Sequence, residues 1–495
     1  MGYMRFVTPM NCQITAETVQ RAYVAGVEAV PMPGLNSLAD GELRVERSDS
    51  IAGSLYIPWP TEEFGEVVLS TTALVDRERP YHLALELARG TLSRVRNQAA
   101  VWRHMGLVLP AGFDRLRHQA TQHFKASAIS QDTPVVCAEE AIQSLRVSAA
   151  MIGELSREYS RQVLDLRHRE AAQLGTLLVG TVERVPMPPF AETEFLRAFN
   201  AATSNLTWRD VEPDEGQRCW DAVDQQLAWG QSQGLRIVSP PIIDFSPRCL
   251  PDWLYLWEGD FDNIASCVLE YVTAAVSRYR GRVHVWNAAT AINSSDELSL
   301  SDEQKLRLLA AIVETIRRLD QRTPVIVNFD RPWAEYMAKR AHCLSPYHFA
   351  DALLRADLGV SGFGLDIHLG YWPGGTLPRD PLEYSKMLDR WTTFGQPLFV
   401  NFAIPSSAAG DPRASRKVAT LEQMGAAGVG LASQAAAASL LLPITLAKQA
   451  VWGVTFSQFC DENAHEFPHG GLIDAGGAKK PILDVLAAIR ERHLV

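Results

Sequence analysis

One run constrains this chain more than any other: Arg282-Val283-His284-Val285-Trp286-Asn287-Ala288-Ala289-Thr290. It is Val-rich, does not alternate apolar with polar, and is bounded by polar residues. Such a segment reads as a strand covered on both faces, the environment of a parallel strand flanked by helices. Runs of similar character stand at residues 177–182, 197–202, 235–239, 324–328, 361–365, 397–401 and 451–455, with amphipathic stretches between them. In one of these stretches, residues 301–320, Ser301 and Gln304 have the spacing of a capping box ahead of Leu306, Leu309, Ile312, Val313 and Ile316. Repeated strand-helix alternation over residues 174–495 predicts an α/β fold, a (β/α)8 TIM barrel with generous loops.

The chain before the barrel changes period twice. Residues 1–80 hold short apolar alternations cut by Pro and Gly, which predicts a small N-terminal β-rich domain. Within it Trp59, between Pro58 and Pro60, either closes the core of that unit or offers a flat face to a sugar. Residues 81–173 turn helical, with Leu83, Leu87, Leu92 and Val95 and later Ile142, Leu145, Ala149, Ile152, Leu155 and Tyr159 recurring every three to four positions. Arg157, Arg161, Arg167 and Arg169 alternate with Glu158, Asp165 and Glu170, the pattern of a solvated helix face.

Charge narrows the choice of partner. The formal net charge is −10 and no Lys/Arg block is long enough to neutralise a run of phosphates, so nucleic acid is not an expected partner. The most apolar window, residues 425–454, is broken by Gln434, Pro443, Lys448 and Gln449. It reads as a buried Ala-rich helix leading into a strand, with no membrane span expected. The N-terminal residues lack an apolar signal region, and the 7 cysteines are scattered without a C-x-x-C pair, so a cytoplasmic, reducing location is expected. No cofactor is expected. Asp461, Glu462, His465, Glu466 and His469 form the densest acid and His cluster; their spacing matches no standard metal-ligand pattern, and they read as a polar surface loop.

A barrel of this class carries its chemistry at the C-terminal ends of its strands. Those ends nominate Thr203, Ser204 and Asn205 after the second run, Asp244 and Phe245 after the third, and Asn287 and Ala288 after the fourth. They nominate Asn328 and Asp330 after the fifth, Asp366 and His368 after the sixth, Asn401 and Phe402 after the seventh, and Trp452, Asp461 and Glu462 at the eighth.

Taken together, these strand ends resemble glycoside hydrolase family 10, the xylanase family, over most of residues 174–495. Asn205, Trp208, Glu212, Pro213 and Gly216 fit the family's second-strand segment, with Ser204 and Thr207 where its sugar-binding Glu and Lys stand. Pro251 and Trp253 match the segment after the third strand, where Pro240, Asp244 and Phe245 replace His, Trp and His. Gly362-Phe-Gly-Leu-Asp-Ile-His-Leu is similar to Gly-x-Gly-Leu-Gln-x-His-Leu, which keeps His368 and exchanges Gln for Asp366. The closing Gly471-Leu-Ile-Asp and Lys480-Pro-Ile resemble the family's ending.

The family's catalytic pair does not carry over. Its acid/base Asn-Glu corresponds to Asn287-Ala288, and its nucleophile segment Thr-Glu-Leu-Asp to Asn401-Phe402-Ala403-Ile404. A retaining glycosidase needs two carboxyls about 5–5.5 Å apart, and neither Ala nor Phe supplies one. The resemblance therefore implies a cleft for an oligosaccharide or other glycan, with Asn205, Asn287, His368, Trp372 and Trp452 as expected binding residues. Asp244, Asp330 and Asp366 are the candidate relocated acids, and an inverting pair would need about 6.5–9.5 Å between them. The alternative is a non-catalytic binding or scaffolding protein with a vestigial sugar cleft.

Overall fold

In the computed structural model, which describes residues 2–9, 12, 14–26, 28–340 and 343–495, each expected apolar run falls on a strand of one closed parallel barrel. In chain order these are β1 (Leu177–Val182), β2 (Ala201–Ser204), β3 (Arg236–Asp244), β4 (Val285–Thr290), β5 (Val325–Asp330), β6 (Gly362–His368), β7 (Leu398–Ala403) and β8 (Val451–Phe456). Neighbours in sequence are neighbours in the sheet, and β8 closes the ring on β1. A helix follows every strand: Pro189–Ala198, Asp221–Ser232, Phe261–Tyr279, Asp302–Leu319, Pro346–Arg355, Pro381–Thr392, Leu431–Ala447 and Pro481–His493. This is the (β/α)8 architecture.

Local chemistry sets the boundaries. The helix Asp302–Leu319 starts where Ser301 Oγ accepts from Gln304 N at 3.2 Å while Gln304 Oε1 accepts from Ser301 N at 2.9 Å, the reciprocal box the sequence proposes. The second strand begins later than expected, because Arg197 and Ala198 complete the preceding helix and Phe199 N caps it on Phe195 O at 2.9 Å. Conversely β3 and β4 run on to Asp244 and Thr290, so Asn287 and Ala288 lie inside a strand and not past its end.

The two faces of the barrel wall are packed differently. Val179, Ala201, Val238, Val285, Ile326 and Phe399 fill the lumen with an apolar plug. Outward-facing residues such as Trp286, Ala288, Val327, Leu365, Val400 and Phe402 join the continuous core between strands and helices. At about 25 cal/mol per Å² of apolar surface, this shell is the main source of stability. The polar lumen above the plug is left to function.

Ahead of the barrel stand two four-stranded sheets, followed by helices Leu83–His104, Phe113–Ile129 and Pro134–Glu170. Trp59 is buried in the core of these sheets and offers no platform. Arg157 and Arg161 are exposed and ion-paired with Glu63, Glu158 and Asp165, a solvated face. The sheets and helices dock onto the barrel through buried charge. Arg94 reaches Asp380 at 2.5 Å and Glu383 at 3.2 Å, and Arg379 reaches Glu335 at 3.0 Å and the Tyr23 hydroxyl at 2.9 Å. Among the described residues, no helix is long and apolar enough to cross a membrane.

Candidate active site

The C-terminal strand ends open into a cavity of about 530 Å³. Its centre is Asp366, at the end of β6. Its Oδ1 accepts from Asn401 Nδ2 at 2.5 Å and from Asn328 Nδ2 at 3.2 Å, and its Oδ2 accepts from the Thr290 hydroxyl. A glycine makes this possible: Gly364 pairs with Asn328 across β5 and β6, and a Cβ there would overlap the Asn328 side chain that lies across it. Burial pushes the Asp366 carboxyl above its usual range despite these donors.

His368, two residues on, lines the same cavity, with its ring 4.2 Å from that of Phe467. Its Nδ1 faces Asp330 Oδ1 at 3.4 Å. Asp330 itself is turned away from the cavity, held by Arg331 Nε at 2.8 Å and the Ser294 hydroxyl at 2.6 Å. Burial alone would raise its carboxyl, but Arg331, His368 and Arg416 hold it well below the ordinary carboxylate range. Asp330 stands behind His368 and does not line the cavity itself.

Asp244, the last residue of β3, reaches the rim of the cavity. Its Oδ1 accepts from Ser246 N at 2.8 Å. Burial and the neighbouring Glu466 push its carboxyl up to about 6. Arg416, from the loop after β7, donates to Ser246 Oγ at 2.8 Å and to Glu466 Oε1 at 2.7 Å, with its guanidinium over the Phe467 ring at 4.6 Å. Glu183 follows β1 directly. Its Oε1 accepts from Phe459 N at 2.8 Å and Cys460 N at 3.1 Å, its Oε2 is buried without a hydrogen-bond partner, and burial pushes the carboxyl up to about 7.

Around these acids the wall is amide and hydroxyl, including Asn205, Asn287, Asn328, Asn401, Thr203 and Gln458. The amide nitrogen of Asn328 is committed to Asp366, and that of Gln458 to Asp461 Oδ1 at 2.7 Å. The carbonyl oxygens of Asn287, Asn328 and Gln458 are buried without a partner.

No family model matches the sequence. Comparison with solved structures returns xylanases. Xylanase 10B from Thermotoga petrophila, in complex with xylobiose, has a TM-score of 0.48 and 15% identity, covering 68% of this chain and 97% of that one. The family 10 protein from Paenibacillus barcinonensis has a TM-score of 0.49 and 15% identity, covering 66% and 98%. Xylanase B from Clostridium stercorarium has a TM-score of 0.48 and 13% identity, covering 66% and 98%. The chain is similar to family 10 xylanases.

Several expectations drawn from the family 10 motifs need correcting. Side chains alternate across a strand. Asn287 and Asn401 therefore face the cavity, while Ala288 and Phe402 face the helices. Phe402 packs 6.3 Å from the ring of Tyr384 and 5.8 Å from that of Phe456. Neither residue fills a seat in the cleft; Thr290 and Asn401 hold the inward positions near these strand ends, both bonded to Asp366. Trp452 is the second residue of β8, at the end away from the cleft, and is 56% exposed. Trp372 pairs with Ala419 in a short ladder and lines a different cavity, between the N-terminal sheets and Glu335, Ala338 and Lys339. Neither tryptophan can stack on a ligand in this cleft.

The acid and His cluster after β8 is not a surface loop. Asp461 bonds Lys480 Nζ at 2.5 Å and His465 Nε2 lies 2.9 Å from Asp411, so the segment folds over the cleft, where Asn463, His465 and Glu466 line it. Among the described residues, no group of three or more His, Cys, Asp or Glu is placed to hold a metal ion. The motif residues Trp208 and Glu212 are structural. Trp208 Nε1 and Arg218 Nε both donate to Glu212 Oε2, at 2.8 and 2.9 Å, and Trp253 Nε1 donates to Glu212 O at 3.0 Å.

Sequence reasoning missed Glu183, Thr290, Gln458 and Glu466 as cleft residues. Glu183 directly follows the first expected strand, so the rule applied to the other strand ends finds it. Glu466 had no such signal, because its position depends on Arg416, 50 residues away.

Proposed function

We propose that the cleft binds a neutral oligosaccharide and that the protein lacks the retaining carboxyl pair of a family 10 xylanase. One observation carries this reading: the wall of the cavity is built largely from uncharged amide and hydroxyl side chains, Asn205, Asn287, Asn401, Thr203 and Gln458 among them. A ligand rich in hydroxyl groups, each both donor and acceptor, pairs with such a wall. A sugar offers such donors without the negative charge that this acidic wall would repel. The sequence resemblance makes xylo-oligosaccharides the first probes.

Calorimetric titration with xylotetraose, cellotetraose and mannotetraose tests the reading. At least one tetraose is expected to bind, with Asn287→Ala weakening it by about tenfold, the loss of roughly one good hydrogen bond. Failure of all three, at millimolar concentration and without a thermal shift, would overturn it and favour the scaffolding alternative.

A further inference from the structure

The wall of the cleft is uneven around the barrel. Past the ends of β1, β2, β3 and β8 the following loops line the cavity, through Glu183, Asn205, Asp210, Arg248 and His465 among others. On the side of β4, β5 and β6 the lining reaches no further than Thr290, Asn328 and His368. The loops after β4 and β5 are bonded to one another instead. Asn293 Nδ2 donates to Asp330 O at 2.9 Å and to the Tyr336 hydroxyl at 3.0 Å, and the Ser294 hydroxyl donates to Asp330 Oδ2 at 2.6 Å. Asn293, Ser294, Asp330 and Tyr336 are all buried, whereas Asn205, Asp210 and Arg248 on the other side are exposed. The cavity therefore opens at the loops after β2 and β3 and is blind toward β4, β5 and β6.

A bond across the mouth completes the wall. Strands β3 and β7 are four places apart in the ring, whichever way it is followed, so they stand opposite each other. Arg416, from the loop after β7, donates from Nη2 to Ser246 Oγ, just past the end of β3, at 2.8 Å. Its guanidinium lies over the Phe467 ring at 4.6 Å, and that ring is 4.2 Å from His368 at the end of β6 and 5.0 Å from Tyr371. Backbone bonds join the two loops that carry this bridge: Ser415 N donates to His465 O at 2.8 Å and Arg416 N to Glu466 O at 3.1 Å. The Arg416 side chain is only 9% exposed. Its planar fork of donors lets one side chain hold Ser246 and Glu466 while stacking on Phe467. A glycan lying across the mouth would have to pass through this bridge.

We infer that the cleft is a one-ended pocket, which admits the terminus of a glycan and excludes the interior of a long chain. The inference rests on the glycan reading above and adds which part of the glycan is recognised. The terminal ring meets Asn287 and Asn401 inside, and the rest of the chain leaves past Asn205 and Arg248. Arg416 is the positioning residue that holds Ser246, Ser415 and Glu466 as a wall.

The test uses the full chain and whichever of xylotetraose, cellotetraose and mannotetraose binds. Two derivatives of that tetraose carry a bulky fluorescent tag, one at the reducing end and one at the non-reducing end, and calorimetry compares each with the untagged sugar. One tag is expected to be tolerated within threefold and the other to weaken binding at least tenfold. Tolerance of both tags, or rejection of both, would overturn the one-ended pocket while leaving the glycan reading intact. Arg416→Ala is expected to bring the penalty of the rejected tag below threefold. Ser246→Ala, which cuts the bridge from its other end, should lower it in the same direction. Damage that is merely structural would weaken tagged and untagged sugars alike and leave their ratio unmoved, so an unchanged ratio in both variants would overturn the role of Arg416. Absence of binding by all three tetraoses would overturn the glycan reading and this one with it.

Discussion

Asp366 and Asp244 border the same cavity, both are raised by burial, and they are built for opposite ends. Asp366 stands on the floor with every oxygen claimed by Thr290, Asn328 or Asn401. Asp244 stands on the rim, bonded by the backbone and side chain of Ser246 and by the Cys249 thiol, with Glu466 acting against its charge. A buried carboxyl held by amide donors is a structural fastener, whose removal strands those donors, whereas one beside a second carboxylate costs stability whenever it is ionised. Asp461, held by Gln458, Gly471 and Lys480, belongs with the first kind.

The largest effect expected from this contrast is on the fasteners. Lys480→Met leaves Asp461 buried without its cation, at 3% exposure, and should cost about 3–5 kcal/mol in a denaturant titration. A loss below 1 kcal/mol would break the comparison. Asp366→Ala strands two amides and a hydroxyl and should cost about 2–4 kcal/mol.

Asp244→Asn should act in the other direction. The folded carboxyl titrates near 6, against about 3.9 for an unfolded one. Between these values the native state holds the extra proton, so this group makes stability fall as pH rises from about 4 to about 6, and its full cost stands above that. The variant should therefore match the parent near pH 4 and exceed it by about 1–3 kcal/mol near pH 8, as read by denaturation midpoints at both pH values. A variant less stable than the parent at pH 8 would place Asp244 with the fasteners. The smallest effect belongs to Trp452→Ala, at the opposite end of the barrel: under about 0.5 kcal/mol in stability and no change in glycan affinity.

Much of this was legible in the sequence, and the gaps have physical causes. Eight apolar runs predict eight strands because a parallel strand covered on both faces must be apolar throughout. That same property hides which residue faces inward: Asn287-Ala288 and Asn401-Phe402 read as two site pairs, but alternation sends one member of each outward. Trp452 looks like a strand-end residue only if the direction of β8 is ignored, since it stands at the start of the strand. The segment after β8 reads as polar surface because its partners, Asp411 and Arg416, lie some 50 residues upstream, beyond any local pattern.

The most direct test of the account is a crystal structure with a bound tetraose. The account predicts a sugar in the barrel mouth, bonded to side chains of the polar wall that include Asn205, Asn287 and Asn401. A tetraose seated instead in the cavity beside Trp372, with the barrel mouth empty of sugar, would contradict it.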